Sequence, residues 1–293
     1  MRPPKLVTKI FLDSGDPEET REVLSLLGFL DGQTTNPSLI AKNPQAQERL
    51  ASGKKFSKEE VLSFYKKVVT EISSLIPEGS VSVEVDAHSH SLAEDLVKQG
   101  SDMYSWIPNA HVKYPTTEAG LKAAQQAVKL GMRVNMTLIF RESQAAAVYA
   151  ATKETGEETL LGQKNVFLSP FIGRLDDIGL DGMDLIKNCV NLYKDSDHHV
   201  AVLAASIRSL DHLFASFAYG ADIVTAPLKI YKEWAEKGMQ VPGVDFVYKT
   251  PDLKSIAYES IDLSKEWKTF TISDPLTDKG LQKFSEDWNN LVE

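Results

Sequence analysis

The sequence predicts a closed (β/α)8 TIM barrel, in which eight parallel strands are ringed by helices. Three observations carry this. Short apolar runs alternate eight times with longer helical patterns across the 293 residues, and parallel strands need a crossover of that kind. No G-x-G-x-x-G follows the first apolar run, so the rival open, doubly wound sheet lacks its main signal. Polar side chains also fall late in several strand-like runs, at the end where barrels of this class carry their chemistry.

The strands are expected at 7–13, 29–35, 80–86, 107–114, 133–139, 165–170, 199–205 and 222–226. Helical patterns follow at 17–27, 58–76, 90–99, 117–130, 142–155, 180–194, 208–219 and 228–237. Asp16, Pro17 and Glu19 open the first helix as cap, first-turn proline and early acid, and Gly131 ends the helix before the fifth strand. Three stretches exceed what the barrel needs: about 43–58, 156–164 and 238–270. The last contains Pro242, Gly243, Pro251 and several aromatics, and reads as an ordered insertion. An amphipathic C-terminal helix is expected at about 276–292. Its Leu281, Phe284 and Trp288 need a partner, either the barrel mouth or a neighbouring subunit, so a homo-oligomer is expected. The whole of 1–293 reads as a single barrel domain.

A net charge of −9 argues against non-specific nucleic-acid binding. An anionic substrate would need a local basic pocket set against that field. The one cysteine, Cys189, permits no intrachain disulfide and reads as a small core residue of a helix. No apolar stretch approaches a membrane span. The run after M-R-P-P-K is too short for a signal peptide, so the simplest location is the cytoplasm.

Lys113 is the residue that most needs a reason. It lies in H-V-K-Y-P inside an expected strand, where lysine is a poor fit and seldom buried. A desolvated amine there is suited to Schiff-base formation with a carbonyl. Alternate strand residues share a face. In 80–86, Ser82, Glu84 and Asp86 oppose the valines; in 133–139, Asn135 and Thr137 oppose Val134, Met136 and Leu138; in the first strand, Phe11 and Asp13 oppose Ile10 and Leu12; after the seventh, Ser206 opposes Leu203 and Ala205. Asp13, Asn36, Glu84, Lys113, Asn135, Thr137, Ser169 and Ser206 together describe a polar cavity around one amine. Arg174 and Arg208 follow strand ends, near helix starts, and suit an anion such as phosphate. The alternative is a surface arginine paired with Asp176 or Asp177. Asp86, His88 and His90 have the spacing of a metal-binding H-x-H, the signature of a metal-dependent hydrolase. A polar loop with Ser89 or Ser91 capping the next helix is the better reading, and no metal or other cofactor is expected. A non-catalytic sugar-phosphate-binding barrel is the other rival.

Several motifs resemble those of transaldolases. D-G-Q-T-T-N-P-S-L-I (31–40) resembles the segment after their second strand, and H-V-K-Y-P-T-T-E-A-G-L-K-A-A (111–124) their Schiff-base lysine motif. V-N-M-T-L-I-F (134–140), S-P-F-I-G-R (169–174), A-A-S-I-R (204–208) and D-P-L-T-D-K-G-L (274–281) follow in the family's order. The resemblance implies a class I aldolase barrel acting on sugar phosphates in the pentose phosphate pathway, without metal. It implies Lys113 as the imine-forming lysine and Glu84 as proton carrier through a water held by Thr137. Asp13 would take the C4 hydroxyl proton. Asn36, Asn135 and Ser169 would line the site, with Phe171, and Arg174, Ser206 and Arg208 would hold the phosphate. The fructose 6-phosphate aldolases of the same family typically carry glutamine where Glu84 falls and tyrosine where Phe171 falls, so both residues favour transaldolase. Arg141 and Tyr114 depart from the family pattern. Tyr114 is expected to face the helices as a packing residue, and Arg141 to join the phosphate field or face the insertion.

Overall fold

The computed structural model describes residues 2–153, 164–243, 245–250 and 252–293. The surplus stretch at 156–164 lies almost wholly outside the described residues, as do the last two positions of the helix expected at 142–155. Eight parallel strands form a closed barrel in sequence order: β1 (Lys9–Asp13), β2 (Gly32–Thr34), β3 (Ser80–Glu84), β4 (Ala110–Pro115), β5 (Val134–Ile139), β6 (Val166–Pro170), β7 (Val200–Ala204) and β8 (Ile223–Ala226). The helices are α1 (Pro17–Leu27), α2 (Pro37–Ala41), α3 (Pro44–Ala51), α4 (Lys58–Leu75), α5 (Ala93–Tyr104), α6 (Glu118–Lys129), α7 (Glu142–Ala151), α8 (Ile172–Asp176), α9 (Gly182–Tyr193), α10 (Leu210–Ala218), α11 (Leu228–Glu236) and α12 (Pro275–Leu291).

All eight expected strands are present, shorter than the apolar runs that announce them. Local chemistry explains most boundaries. Asp16 caps α1 by accepting from the Glu18 amide at 3.0 Å. Ser57 and Glu60 form a reciprocal capping box at α4. Gly131 turns the chain with a φ of 76° after α6. The short helices α2, α3 and α8 were not expected. Two of them had a readable signal, since Asn36-Pro37 and Asn43-Pro44 each place a capping asparagine before a first-turn proline. The surplus stretch at 43–58 thus holds α3. The helix expected from 90 begins instead at Ala93. Ser91 does not cap it; its Oγ accepts from the His88 amide at 2.8 Å and closes the loop.

Side chains of β1, β4 and β6 plug the lower barrel. The Phe11 and Phe167 rings meet edge-on at 5.8 Å, and His111 stacks on Phe167 at 3.9 Å. The His111 Nε2 lies 3.1 Å from the Lys164 carbonyl, which only accepts. Nε2 therefore carries the hydrogen, and Nδ1 accepts from Ser80 Oγ at 2.7 Å. Burial pushes the His111 pKa down to about 3, so the ring is neutral. Two residues further along the same strands stand Asp13, Lys113 and Ser169, one layer above the plug.

The alternation breaks in β5. Leu138 has a φ of 62°, and the register with β6 shifts between Met136 and Ile139. Leu138 was expected to face the helices with Val134 and Met136. Instead its side chain meets α12, where a Cβ on Gly280 would lie 2.5 Å from Leu138 Cδ2. The Leu138 carbonyl accepts from Thr277 Oγ1 of α12 at 2.9 Å. Arg141 adds a second tie, its Nε 2.5 Å from Asp274 at the α12 N-cap. Leu281, Phe284 and Trp288 are buried, and Trp288 packs on Tyr65 of α4 at 5.9 Å. The apolar face of α12 is thus covered by this chain's own barrel mouth.

The described residues of 238–270 make hydrogen bonds to the outer helices. Lys254 exchanges backbone bonds with Gly179 and Asp181 at 2.8 and 2.9 Å. Asn188 of α9 donates to the Ile256 carbonyl at 3.1 Å, and Glu142 of α7 accepts from the Glu259 amide at 3.0 Å. The insertion wraps the outside of the barrel. Among the described residues, no helix is long and apolar enough to cross a membrane. Cys189 is buried in α9.

Tyr114 faces the helices, as its position in β4 predicts. A Cβ on Gly100 of α5 would lie 1.9 Å from the Tyr114 hydroxyl, so this helix approaches β4 only because residue 100 is glycine. The buried Tyr114 hydroxyl has no hydrogen-bond partner among the described residues. Removing it relieves an unmet desolvation cost. Tyr114→Phe is expected to stabilise the fold by about 1 kcal/mol, a rise of about 2 °C in Tm. A fall in the calorimetric midpoint would mean that the hydroxyl is bonded in solution.

Candidate active site

Above the aromatic plug the barrel opens into a cavity of about 540 Å³. Its floor and walls include Asp13, Asn36, Lys113, Ser169, Phe171, Arg174 and Ser206, all expected from the sequence. Lys113 enters from β4, directly opposite Glu84 in the β3–β4 register. Lys113 Nζ lies 2.8 Å from Glu84 Oε2, and each side chain is only 3% exposed. Phe171 and Phe284 shield the amine, their ring centroids 5.6 and 5.9 Å from Nζ. Tyr65 steadies the acid from behind. Its hydroxyl accepts from the Glu84 amide at 2.9 Å and bonds Thr35 at 2.6 Å.

Asp13 reaches the cavity from β1. Thr34 Oγ1 donates to Asp13 Oδ1 at 2.7 Å and bonds Thr225 at 2.6 Å. Burial raises the Asp13 carboxyl above the ordinary aspartate range; the Lys113 charge and the Thr34 hydrogen bond pull the other way. Burial likewise raises Glu84, against the opposing pull of Lys113. Both carboxylates are therefore stronger bases than they would be in water.

Behind this layer, Asn135 donates to Ser82 Oγ at 3.0 Å and accepts from Ser169 Oγ at 2.7 Å. This chain fixes the Asn135 amide and leaves the Ser169 oxygen as an acceptor toward the cavity. Thr137 is fully buried, and its Oγ1 has no protein partner among the described residues. Asn36 uses Oδ1 to cap α2, accepting from the Leu39 amide at 2.9 Å. Its contact with any ligand is therefore as a donor, through Nδ2.

The two arginines part company. Arg174 lines the cavity, stacked 5.3 Å from Phe171 and 5.5 Å from Phe284. Arg208 is not among the lining residues. It forms a two-pronged ion pair with Asp177, with Nη2 to Oδ2 at 2.6 Å. The surface pairing considered as the alternative is the one observed for Arg208. The unexpected helix α8 starts at this wall. The first donors of α8 are already used, with Ile172 bonding the Ala205 carbonyl at 3.1 Å and Gly173 the Ser206 carbonyl at 3.2 Å. Ser206 does reach the cavity, but by a left-handed turn with φ 61°, so Ala205 lines it too and simple alternation fails there. Near the cavity, His88 lies 3.5 Å from Asp86 and 2.7 Å from Ser285 of α12, so the H-x-H segment ties a loop to that helix.

Sequence reasoning missed Thr34 and Thr225, although both follow the two-residue period of β2 and β8. It also missed Ser38, Lys42, Lys283 and Asp287, which line the mouth. Their arrival depends on how α2 and α12 cross the barrel, which no local pattern encodes.

The Asp13 shift has a defined pH consequence. A raised folded-state pKa means that ionisation opposes folding. The penalty is absent below the ordinary value of 3.8 and develops as pH rises through the folded value. Asp13→Asn is therefore expected to be more stable than the native chain at neutral pH, with the gap closing under acid conditions. Urea unfolding across pH tests this. A gap that does not depend on pH would show that Asp13 is not desolvated.

A family model described as Transaldolase/Fructose-6-phosphate aldolase matches residues 10–293. A probable transaldolase of Dehalococcoides mccartyi is 33% identical over 285 residues, covering 97% of this chain and 99% of that protein. A probable transaldolase of Herpetosiphon aurantiacus is 35% identical, covering 97% of this chain and 96% of its own. One from Paracoccus denitrificans is 35% identical over 282 residues, covering 96% of each. With a model match over nearly its whole length and relatives above 30% identity at nearly full coverage, the chain belongs to the transaldolase/fructose-6-phosphate aldolase family of enzymes.

Proposed function

We propose that the chain is a transaldolase that moves a dihydroxyacetone unit from a ketose phosphate to an aldose phosphate through a Schiff base on Lys113. The observation that carries this reading is the buried Lys113–Glu84 contact of 2.8 Å, with Asp13 in the same cavity. Attack on the C2 carbonyl needs an unprotonated amine, and Glu84 is in reach to take its proton. The same acid returns a proton to the carbinolamine oxygen, which leaves as water. Thr137, with its buried hydroxyl, is suited to holding the water that relays these protons.

Once the imine forms, Asp13 removes the C4 hydroxyl proton and the C3–C4 bond breaks. The bonding pair moves into the imine, which becomes an enamine on Lys113, and the aldehyde half departs. For fructose 6-phosphate that half is glyceraldehyde 3-phosphate; for sedoheptulose 7-phosphate it is erythrose 4-phosphate. The enamine carbon then attacks the acceptor aldehyde, Asp13 gives its proton to the new hydroxyl, and hydrolysis frees the product. In this reading Asn36 and Ser169 hold hydroxyls of the three-carbon unit, Asn135 supports them through its bond to Ser169, and Arg174 with Ser206 holds the phosphate. Arg208 would take part only by leaving Asp177.

Retention of the enamine separates transfer from simple cleavage. A phenol beside the enamine would aid its protonation and release free dihydroxyacetone. Phe171, whose ring lies 5.6 Å from the amine, has no proton to give. This favours transfer over aldolase activity, in the pentose phosphate pathway and its cytoplasmic setting.

Glyceraldehyde 3-phosphate release from fructose 6-phosphate is expected to require erythrose 4-phosphate. Equal release without the acceptor would make the chain a fructose 6-phosphate aldolase. Lys113→Ala should lower kcat by at least about 10³-fold, since covalent catalysis is lost. Borohydride reduction with fructose 6-phosphate should fix a three-carbon adduct on Lys113, read by peptide mass. An adduct elsewhere, or turnover by the alanine variant, would overturn the assignment.

A further inference from the structure

The β2–β3 ladder ends just short of the buried acid. Along β3 the amides alternate between neighbours. Val81 and Val85 donate to the Asn109 and Lys113 carbonyls on the β4 side, at 3.0 and 3.2 Å, and Ser80 donates to the Asp31 carbonyl on the β2 side at 3.0 Å. With Thr34 opposite Ser82, the two-residue period would assign the Glu84 amide to the Thr35 carbonyl. But β2 stops at Thr34, and Asn36 already caps α2. The Glu84 amide donates instead to the Tyr65 phenol of α4, at 2.9 Å. Thr35 uses its own hydroxyl hydrogen on the Ser82 carbonyl at 2.7 Å. The phenol therefore donates to Thr35 Oγ1, at 2.6 Å. Its oxygen is fixed by one hydrogen bond in each direction. Trp106 and Trp288 each meet the Tyr65 ring edge-on at 5.9 Å. Tyr65 is fully buried and is not among the residues lining the cavity.

We propose that Tyr65 is a positioning residue for Glu84: its phenol replaces the ladder acceptor that β2 does not supply, and so holds the end of β3 where the carboxylate meets Lys113. The proposal rests on the reading of Glu84 as the proton carrier of imine formation. Without the phenol the buried Glu84 amide has no acceptor, and such a group draws the backbone toward another partner. Proton transfer needs its two groups within hydrogen-bond reach. A displacement of about 1 Å is enough to slow a reaction about 10²-fold. Because Tyr65 stays outside the cavity, its loss acts on the proton-transfer steps and leaves sugar binding intact.

Tyr65→Phe keeps the ring and removes only the oxygen. It is expected to lower kcat about tenfold or more, with KM for fructose 6-phosphate unchanged. Borohydride trapping of dihydroxyacetone on Lys113, which involves no C–C cleavage, should slow by the same factor. Amide hydrogen exchange at Glu84 should quicken, while Val81 and Val85, bonded on the β4 side, keep their protection. Thr35→Val removes the acceptor of the phenol and is expected to lower kcat in the same way, whereas Thr35→Ser, which keeps a hydroxyl, recovers most of that loss. Native kcat and trapping rate in Tyr65→Phe would overturn the proposal. So would a loss of activity with Glu84 exchange unchanged. Failure of the native chain to trap dihydroxyacetone would instead remove the Schiff-base reading, and Glu84 exchange would still report whether the phenol anchors the end of β3.

Discussion

An ammonium and a carboxylate buried side by side, 2.8 Å apart and almost without solvent, define what the rest of this barrel must do. Neither Lys113 nor Glu84 can be left alone there. Removing one partner from such a pair typically costs about 3–5 kcal/mol, because the other charge stays buried. The pair exists because β3 and β4 are neighbours in a register that sets Glu84 against Lys113. A slip of either strand by one residue would turn its member of the pair out among the helices. Barrel closure therefore fixes the separation and the dielectric of the buried pair together.

The layers above and below serve that pair. Phe11, His111 and Phe167 seal the lower axis, and the neutral imidazole adds polarity without charge. Above, α12 brings Phe284 over the amine and seats against Gly280, Leu138 and Arg174. The ties from Arg141 to Asp274 and from Thr277 to the Leu138 carbonyl hold the helix in that place. Leu138 accepts an unfavourable left-handed backbone to make its part of the contact. The C-terminal helix is thus a wall of the cavity as much as an addition to the barrel.

Much of this was legible in the chain. Strand order and the Lys113 anomaly follow from periodicity, since a strand repeats every two residues and an inward lysine breaks the expected composition. The ring of Asp13, Glu84, Asn135 and Ser169 follows from the same period applied to four strands. Asn36 and Asn43 carried a capping signal that went unread. Arg208 shows the limit. As a residue type at a strand end it suits an anion as well as Arg174 does, and only the approach of Asp177 separates them. The place of 238–270 was not legible, because its hydrogen bonds go to α7 and α9, far away in sequence.

The sequence by itself determined the barrel and the face on which most polar strand residues point. These depend on short-range periodicity and residue chemistry, which a linear string preserves. Tertiary structure alone decided which arginine meets the cavity, how α12 crosses the mouth, and that Lys283 and Asp287 join the wall. Those outcomes depend on packing between segments more than a hundred residues apart. There, a glycine at 280 or a left-handed turn at Leu138 sets the approach distance, and no local pattern records it.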